Sequence, residues 1–113
     1  MSADCPEAGD LIWLDFDPQA GREQAGRRPA LVLSPAIFQR KTSLVWVCPI
    51  TSKEKGFPFE VVLPEGLGVR GVVLCAHLRS LDWRARHAIR IGPVPAGVLA
   101  EVRQRVALIS GIL

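Results

Sequence analysis

The sequence predicts a mainly β, α+β domain: a small antiparallel barrel or curled sheet with short helices and one C-terminal helix. Three observations carry this. Short runs rich in Val, Ile, Leu and Trp recur at close spacing between Leu11 and Ile91, and Gly, Pro or Asp bounds them. From Pro95 the pattern changes: Leu99, Val102, Val106 and Ile109 recur at three and four residues, the stripe of an amphipathic helix. The length, 113 residues with 49% hydrophobic, suffices for one core and is too short for two.

Residues 1–8 are small and polar and are expected to form a flexible N-terminus, leaving 9–113 as a single domain. Leu11–Phe16 reads as the first strand, ended by Asp15, Asp17 and Pro18. Ala30–Leu33 is apolar without alternation, the pattern of a strand buried on both faces. Ser34 is placed to cap a short helical turn over Ala36–Gln39. Ser43–Ile50 is the third strand, Phe59–Leu63 the fourth and Gly71–Ala76 the fifth. Arg79–Leu81 continues the sheet, Asp82–Arg86 forms one helical turn, and Ala88–Ile91 is an edge strand. Pro95 suits the first turn of the last helix and Gly111 its stop.

Charge points to a class of partner. Fourteen cations face eleven anions, for a net charge of +3, and eleven of the cations are arginines. Arginine presents a planar fork that matches phosphate, which suits a nucleic-acid partner. The three cysteines, Cys5, Cys48 and Cys75, are far apart and only two histidines are present, so a zinc site is not expected. Cys48 and Cys75 lie in apolar runs and read as buried hydrophobes. No apolar run is long enough for a membrane span and the first ten residues are acidic, so the expectation is a cytoplasmic protein with reduced thiols.

The stretch Gly21-Arg22-Glu23-Gln24-Ala25-Gly26-Arg27-Arg28-Pro29 joins two predicted strands. A rigid sheet presenting a charged, Gly-rich loop is a common place for binding or catalysis; a solvated surface loop is the alternative. Arg28 ends this loop and enters a strand, so its guanidinium has a fixed base from which to hold two phosphate oxygens. Glu23 is the loop's only acid, and the neighbouring cations favour its ionised form.

Gly9-Asp10-Leu11-Ile12-Trp13, followed by Glu23-Gln24-x-Gly26-x-Arg28-Pro29, resembles the opening of the MazF/PemK family of toxin endoribonucleases. Leu33-Ser34-Pro35, Pro49-Ile50-Thr51-Ser52, Gly56–Leu63 and Arg79–Arg86 follow in family order, so the resemblance spans nearly all of Gly9–Leu113. It implies an SH3-like β-barrel that forms homodimers. It also implies sequence-specific, metal-independent cleavage of single-stranded mRNA to 2′,3′-cyclic phosphate and 5′-hydroxyl ends. No cofactor is implied, and the partner would be a MazE-like antitoxin whose acidic, disordered tail covers the RNA groove.

On the family pattern Arg28 and Thr51 are the catalytic candidates, with Glu23 as base or as a residue that orients Arg28. One branch of the family has Arg-x-Asp-Gln where this chain has Leu74-Cys75-Ala76-His77, so that branch's base and acid are absent. His77 is a further catalytic candidate, since imidazole titrates near neutrality. The RNA-binding candidates are Arg22, Gln24, Arg27, Ser52, Lys53, Lys55, Phe57, Arg79, Arg84 and Arg86. Cations interleaved with Trp83 suit single-stranded RNA, although the reading favours Trp83 as a core residue. The competing reading is a non-enzymatic toxin of the CcdB type, which has the same fold and poisons gyrase by protein binding.

Overall fold

In the computed structural model, residues 5–16, 26–56 and 58–112 are described. Arg22, Glu23, Gln24 and Phe57 lie outside them. Among the described residues the strands are β1 (Asp10–Asp15), β2 (Arg27–Val32), β3 (Leu44–Thr51), β4 (Glu60–Val62), β5 (Val72–Leu74), β6 (Arg79–Asp82) and β7 (Ile89–Pro93). Two α-helices, α1 (Ala36–Thr42) and α2 (Ala96–Ser110), and a 3₁₀ turn at Cys75–His77 complete the elements. The strands form one antiparallel sheet in the order β4-β5-β3-β2-β1-β7. β4 and β7 end this path and β6 pairs with β3 off it, so among the described residues the sheet is not closed, while the predicted antiparallel, mainly β class with a C-terminal helix holds.

β3 organises the sheet. One of its edges pairs with β2, from Ala30↔Pro49 to Val32↔Val47. The other edge is divided: β6 takes Leu44–Val47 and β5 takes Ile50–Thr51. The 3₁₀ turn carries the chain from one to the other. The fifth strand therefore stops at Leu74, two residues short of the predicted end. β4 supplies no ladder partner beyond Glu60↔Leu74, and Cys75 N–H closes the pairing on Phe59 O at 3.1 Å.

Both faces of the central strands are covered, as the unbroken apolar run in β2 predicts. Leu31 and Leu33 join Leu11, Cys48, Ile50 and Val73 in one core. Ala30 and Val32 point the other way, into a second core with Ile12, Leu14, Phe16, Val45 and Trp83. Alternate side chains of a strand face opposite sides, so one four-residue run serves two cores. Cys48 and Cys75 are buried in the first core, and burial pushes the Cys75 thiol up to about 11. Trp83 is buried in the second, its indole N–H donating to Gln39 O at 3.1 Å.

Ser34 does not cap α1. Its hydroxyl accepts the Trp46 N–H at 2.9 Å, which ties the strand end to β3. The first N–H of the helix, from Ala36, donates instead to Glu7 Oε1 at 2.9 Å. Gln39 Nε2 donates to Pro6 O, and Pro6 is buried. Cys5, Pro6 and Glu7, which the sequence places in a flexible end, thus have specific partners on α1. The helix runs three residues past the expected Gln39. Thr42 Oγ1 donates to Phe38 O, and Ser43 ends the helix in a left-handed conformation.

Helix α2 begins after Pro95 and stops at Gly111, whose φ of 83° closes it. Val102 is buried in the first core, and Val98, Leu99 and Val106 pack against it. Ile109, the last residue of the predicted stripe, is exposed. Arg103 Nη2 donates to Leu33 O at 2.7 Å and Arg105 Nε to Pro58 O at 2.9 Å, pinning the helix across the sheet. No helix among the described residues is long and apolar enough to cross a membrane.

Candidate active site

A cleft of about 680 Å³ opens where the first core ends. Ile50 and Val69, both buried, belong to that core and floor it. Trp13, Gly26, Arg27, Arg28 and Pro29 form one wall, and Ser52, Gly68 and Arg70 the other. The described lining holds three guanidiniums and no carboxylate. Such a wall sets a positive potential within a partly enclosed space.

Strand pairing builds this place. β1 and β2 pair Trp13 with Pro29 and Leu14 with Arg28, which fixes the backbone under both arginines. The β2–β3 register ends at Ala30↔Pro49. Beyond that point Arg28 of β2 and Ile50 and Ser52 at the end of β3 line the same cleft. Ile50 and Ser52 flank Thr51 and line the cleft, whereas Thr51 itself is half-buried and is not part of the lining. Thr51 Oγ1 accepts the Lys53 N–H at 3.2 Å, so its own hydrogen is left to donate.

Arg27 is held in place. Its Nη1 donates to Asp15 Oδ1 at 2.8 Å and its Nη2 to His87 O at 2.9 Å. His87 Nδ1 lies 2.8 Å from the other Asp15 oxygen. The contacts from His87 and then Arg27 hold the Asp15 carboxyl below the usual carboxylate value. His87 is exposed and anchors this cluster.

The remaining candidates are dispersed. His77 is half-buried beside a different hollow of about 270 Å³, with Phe59, Glu60 and Ala76, and is not on the wall of the arginine cleft. Lys53 and Lys55 are exposed on the loop after β3, which is drawn in by Lys55 and Gly56 N–H groups donating to Glu60 Oε1. Arg79 lies over the Phe16 ring at 5.7 Å and Arg84 over Trp83 at 4.3 Å. Arg86 Nη1 donates to Asp15 O at 3.2 Å. These three arginines make contacts within the fold and do not line the cleft. Glu23, Gln24, Arg22 and Phe57 fall outside the described residues. Trp13 and Arg70, neither of which is a site candidate from the sequence, line the cleft because β1 and the β4–β5 connection meet there. The one local sign of Arg70 is that it stands alone among the glycines of Gly66–Gly71.

The fold is shared with known proteins, and the sequence is similar to theirs over more than nine-tenths of the chain. The chain is 45% identical over 106 residues to the endoribonuclease toxin MazF of Escherichia coli, spanning 94% of this chain and 95% of that protein. It is 38% identical over 110 residues to the Escherichia coli endoribonuclease PemK, spanning 91% of this chain and 80% of that protein. The crystal structure of MazF from Deinococcus radiodurans (Form-I) superposes with a TM-score of 0.93 at 58% identity, covering 96% of this chain and 98% of that one. A MazE–MazF crystal structure (Form-II) from the same organism matches with a TM-score of 0.85 at 53% identity, covering 96% and 97%. The model of the PemK-like, MazF-like toxins matches residues 7–110. The chain therefore belongs to the PemK-like, MazF-like toxin family of type II toxin–antitoxin systems.

Proposed function

We propose that this chain is the toxin of a type II toxin–antitoxin pair and an endoribonuclease that cuts single-stranded mRNA at specific sequences. The observation that carries the reading is the cleft itself, where Arg27 and Arg28 of β2 meet Ser52, the neighbour of Thr51, and where the described lining is cationic.

In the proposed reaction the 2′-oxygen bonds to the adjacent phosphorus while the bond from phosphorus to the 5′-oxygen breaks. The 2′-proton passes to a base, and the departing 5′-oxygen takes up a proton. The products are a 2′,3′-cyclic phosphate and a 5′-hydroxyl. Arg28 offsets the charge that grows on the phosphoryl oxygens, the electrostatic role that a fixed guanidinium fork suits. Thr51, with Ser52 beside it, donates to a phosphoryl oxygen. Glu23 is assigned to the site by its place in the loop, as base or as the partner that orients Arg28. Arg27, held by Asp15, and the loop lysines Lys53 and Lys55 grip the backbone. His77, in its separate hollow, is given no step.

The same cationic cleft suits the acidic segment of a MazE-like antitoxin. A second copy of the chain is the proposed cover for the edge strand β4, with exposed Val62, and for Leu108, Ile109 and Ile112 at the end of α2. Incubation with a long RNA in the presence of chelator tests the central reading. Discrete fragments ending in cyclic phosphate are expected. Arg28→Ala should lower the rate by about 10²–10³-fold, the cost of removing one such donor, with the melting temperature unchanged. Intact RNA with the unsubstituted protein, or undiminished cutting by the variant, refutes it.

A further inference from the structure

Arg70 stands on a ridge between two concavities. One is the arginine cleft. The other is a hollow of about 420 Å³ on the far side of the β4–β5 connection, whose lining includes Ser52, Glu54 and Glu65. Arg70 lines both. The two sides differ in sign: the described wall of the cleft has guanidiniums and no carboxylate, whereas the hollow has two carboxylates.

The base of the ridge is stiff and its tip is loose. Gly71 has a φ of 128°, and a Cβ added there would lie 2.1 Å from Thr51 O. The backbone that carries Arg70 is therefore pressed directly against the strand end that carries Thr51 and Ser52. The Arg70 guanidinium, in contrast, is 85% exposed and meets Glu65 Oε2 only at 3.7 Å. A long, solvated pair of this kind holds weakly and is easily exchanged. Rotation about the side-chain bonds of Arg70 suffices to exchange a carboxylate on one side for a phosphate on the other, with no movement of the backbone.

We infer that Arg70 is a further RNA-backbone contact of the cleft and that Glu65 competes with the RNA phosphate for it. This rests on the reading of the cleft as an RNA site and adds to it a residue and a competitor. The planar fork of arginine meets two phosphate oxygens at once, which the single distant Glu65 oxygen does not match. Glu65 thereby lowers the affinity of the cleft for RNA through Arg70 and through no other group.

Fluorescence anisotropy with a short, mixed-sequence, fully 2′-O-methylated single-stranded RNA tests this, because methylation removes the attacking hydroxyl and leaves binding alone. The unsubstituted protein should bind with an affinity that falls as salt rises. Arg70→Gln should bind about two- to fivefold more weakly. Its slope of log affinity against log salt should be shallower by about 0.7, the contribution of one phosphate contact on a single strand. Glu65→Gln should bind more tightly than the parent, and the gain should vanish when combined with Arg70→Gln. Melting curves of all variants should coincide, since both side chains are exposed. An unchanged salt slope in Arg70→Gln removes Arg70 from the interface. Tightening by Glu65→Gln that survives in the double variant makes Glu65 a general charge and overturns the competition. If the unsubstituted protein neither binds this probe nor cuts unmodified RNA, the RNA reading itself falls; binding by the parent with no change in Arg70→Gln sinks only the inference about Arg70.

Discussion

Replacing Gly71 by alanine probes how the wall of the cleft that carries Ser52 and Arg70 is held together. The new Cβ would lie 2.1 Å from Thr51 O, 2.8 Å from Thr51 C and 3.0 Å from Ser52 Cα, all backbone atoms that cannot rotate away. The closest of these is nearly 1 Å inside the 3.0 Å below which side-chain carbons essentially never come. The φ of 128° adds strain for any residue with a side chain. A strained backbone angle costs about 1–3 kcal/mol and forced overpacking about 1–3 kcal/mol, so the sum is about 2–6 kcal/mol. Against a total stability of about 5–15 kcal/mol this is a large fraction. At about 4 °C per kcal/mol for a chain of this length, the melting temperature should fall by about 8–24 °C. The cheapest relief is for the start of β5 to swing away from Thr51, where only Ile50↔Val73 and Thr51↔Val72 pair it to β3. Relief of that kind breaks the pairing that supports Thr51 and Ser52, so cutting should also slow at temperatures where the variant is folded. Circular dichroism melts and single-turnover cleavage measure the two effects. A variant that melts with the parent and cuts at its rate would refute the view that Gly71 fixes this wall.

Other consequences follow from the same contacts. Trp83→Phe removes the indole donor to Gln39 O in the second core and should cost about 1–3 kcal/mol by chemical denaturation, with RNA cutting retained. Glu7→Ala frees the first N–H of α1 and should cost about 0.5–2 kcal/mol; truncation of residues 1–8 also removes the Pro6–Gln39 bond and should lower the melting temperature further than Glu7→Ala. Acid should destabilise the fold. Glu7 is held below its usual value by the Ala8 and Ala36 N–H groups, Asp15 by His87 and Arg27, and Asp82 chiefly by the Ala85 N–H. Depressed carboxyls stabilise the fold above their ordinary values, about pH 4, and that contribution is lost as pH falls through the depressed values. Melts recorded from pH 7 downward should show the midpoint dropping below about pH 4, and a midpoint that rises there would contradict the assignment.

Much of this protein was legible in local pattern. Ala30–Leu33, apolar without alternation, meant burial on both sides, and the two cores meet on those residues. Pro95 and Gly111 bracketed α2 to within a residue. Trp83 read as core despite the arginines around it, and is core. The order of Gly9–Trp13, Arg28-Pro29 and Thr51-Ser52 carried the family. These signals are local because backbone angles, side-chain alternation and helical periodicity act over a few residues. Tertiary structure decided the rest. Local pattern did not show that Ser34 would serve β3 while Glu7, from the chain end, took over the helix cap. It also missed that Ile109 would stay exposed at the end of an otherwise packed stripe. Above all, Trp13, Arg28, Ser52 and Arg70 come from four separate stretches. Only the antiparallel register and the steric fit of Gly71 against Thr51 gather them around one cleft, because proximity across a sheet is set by pairing between distant segments.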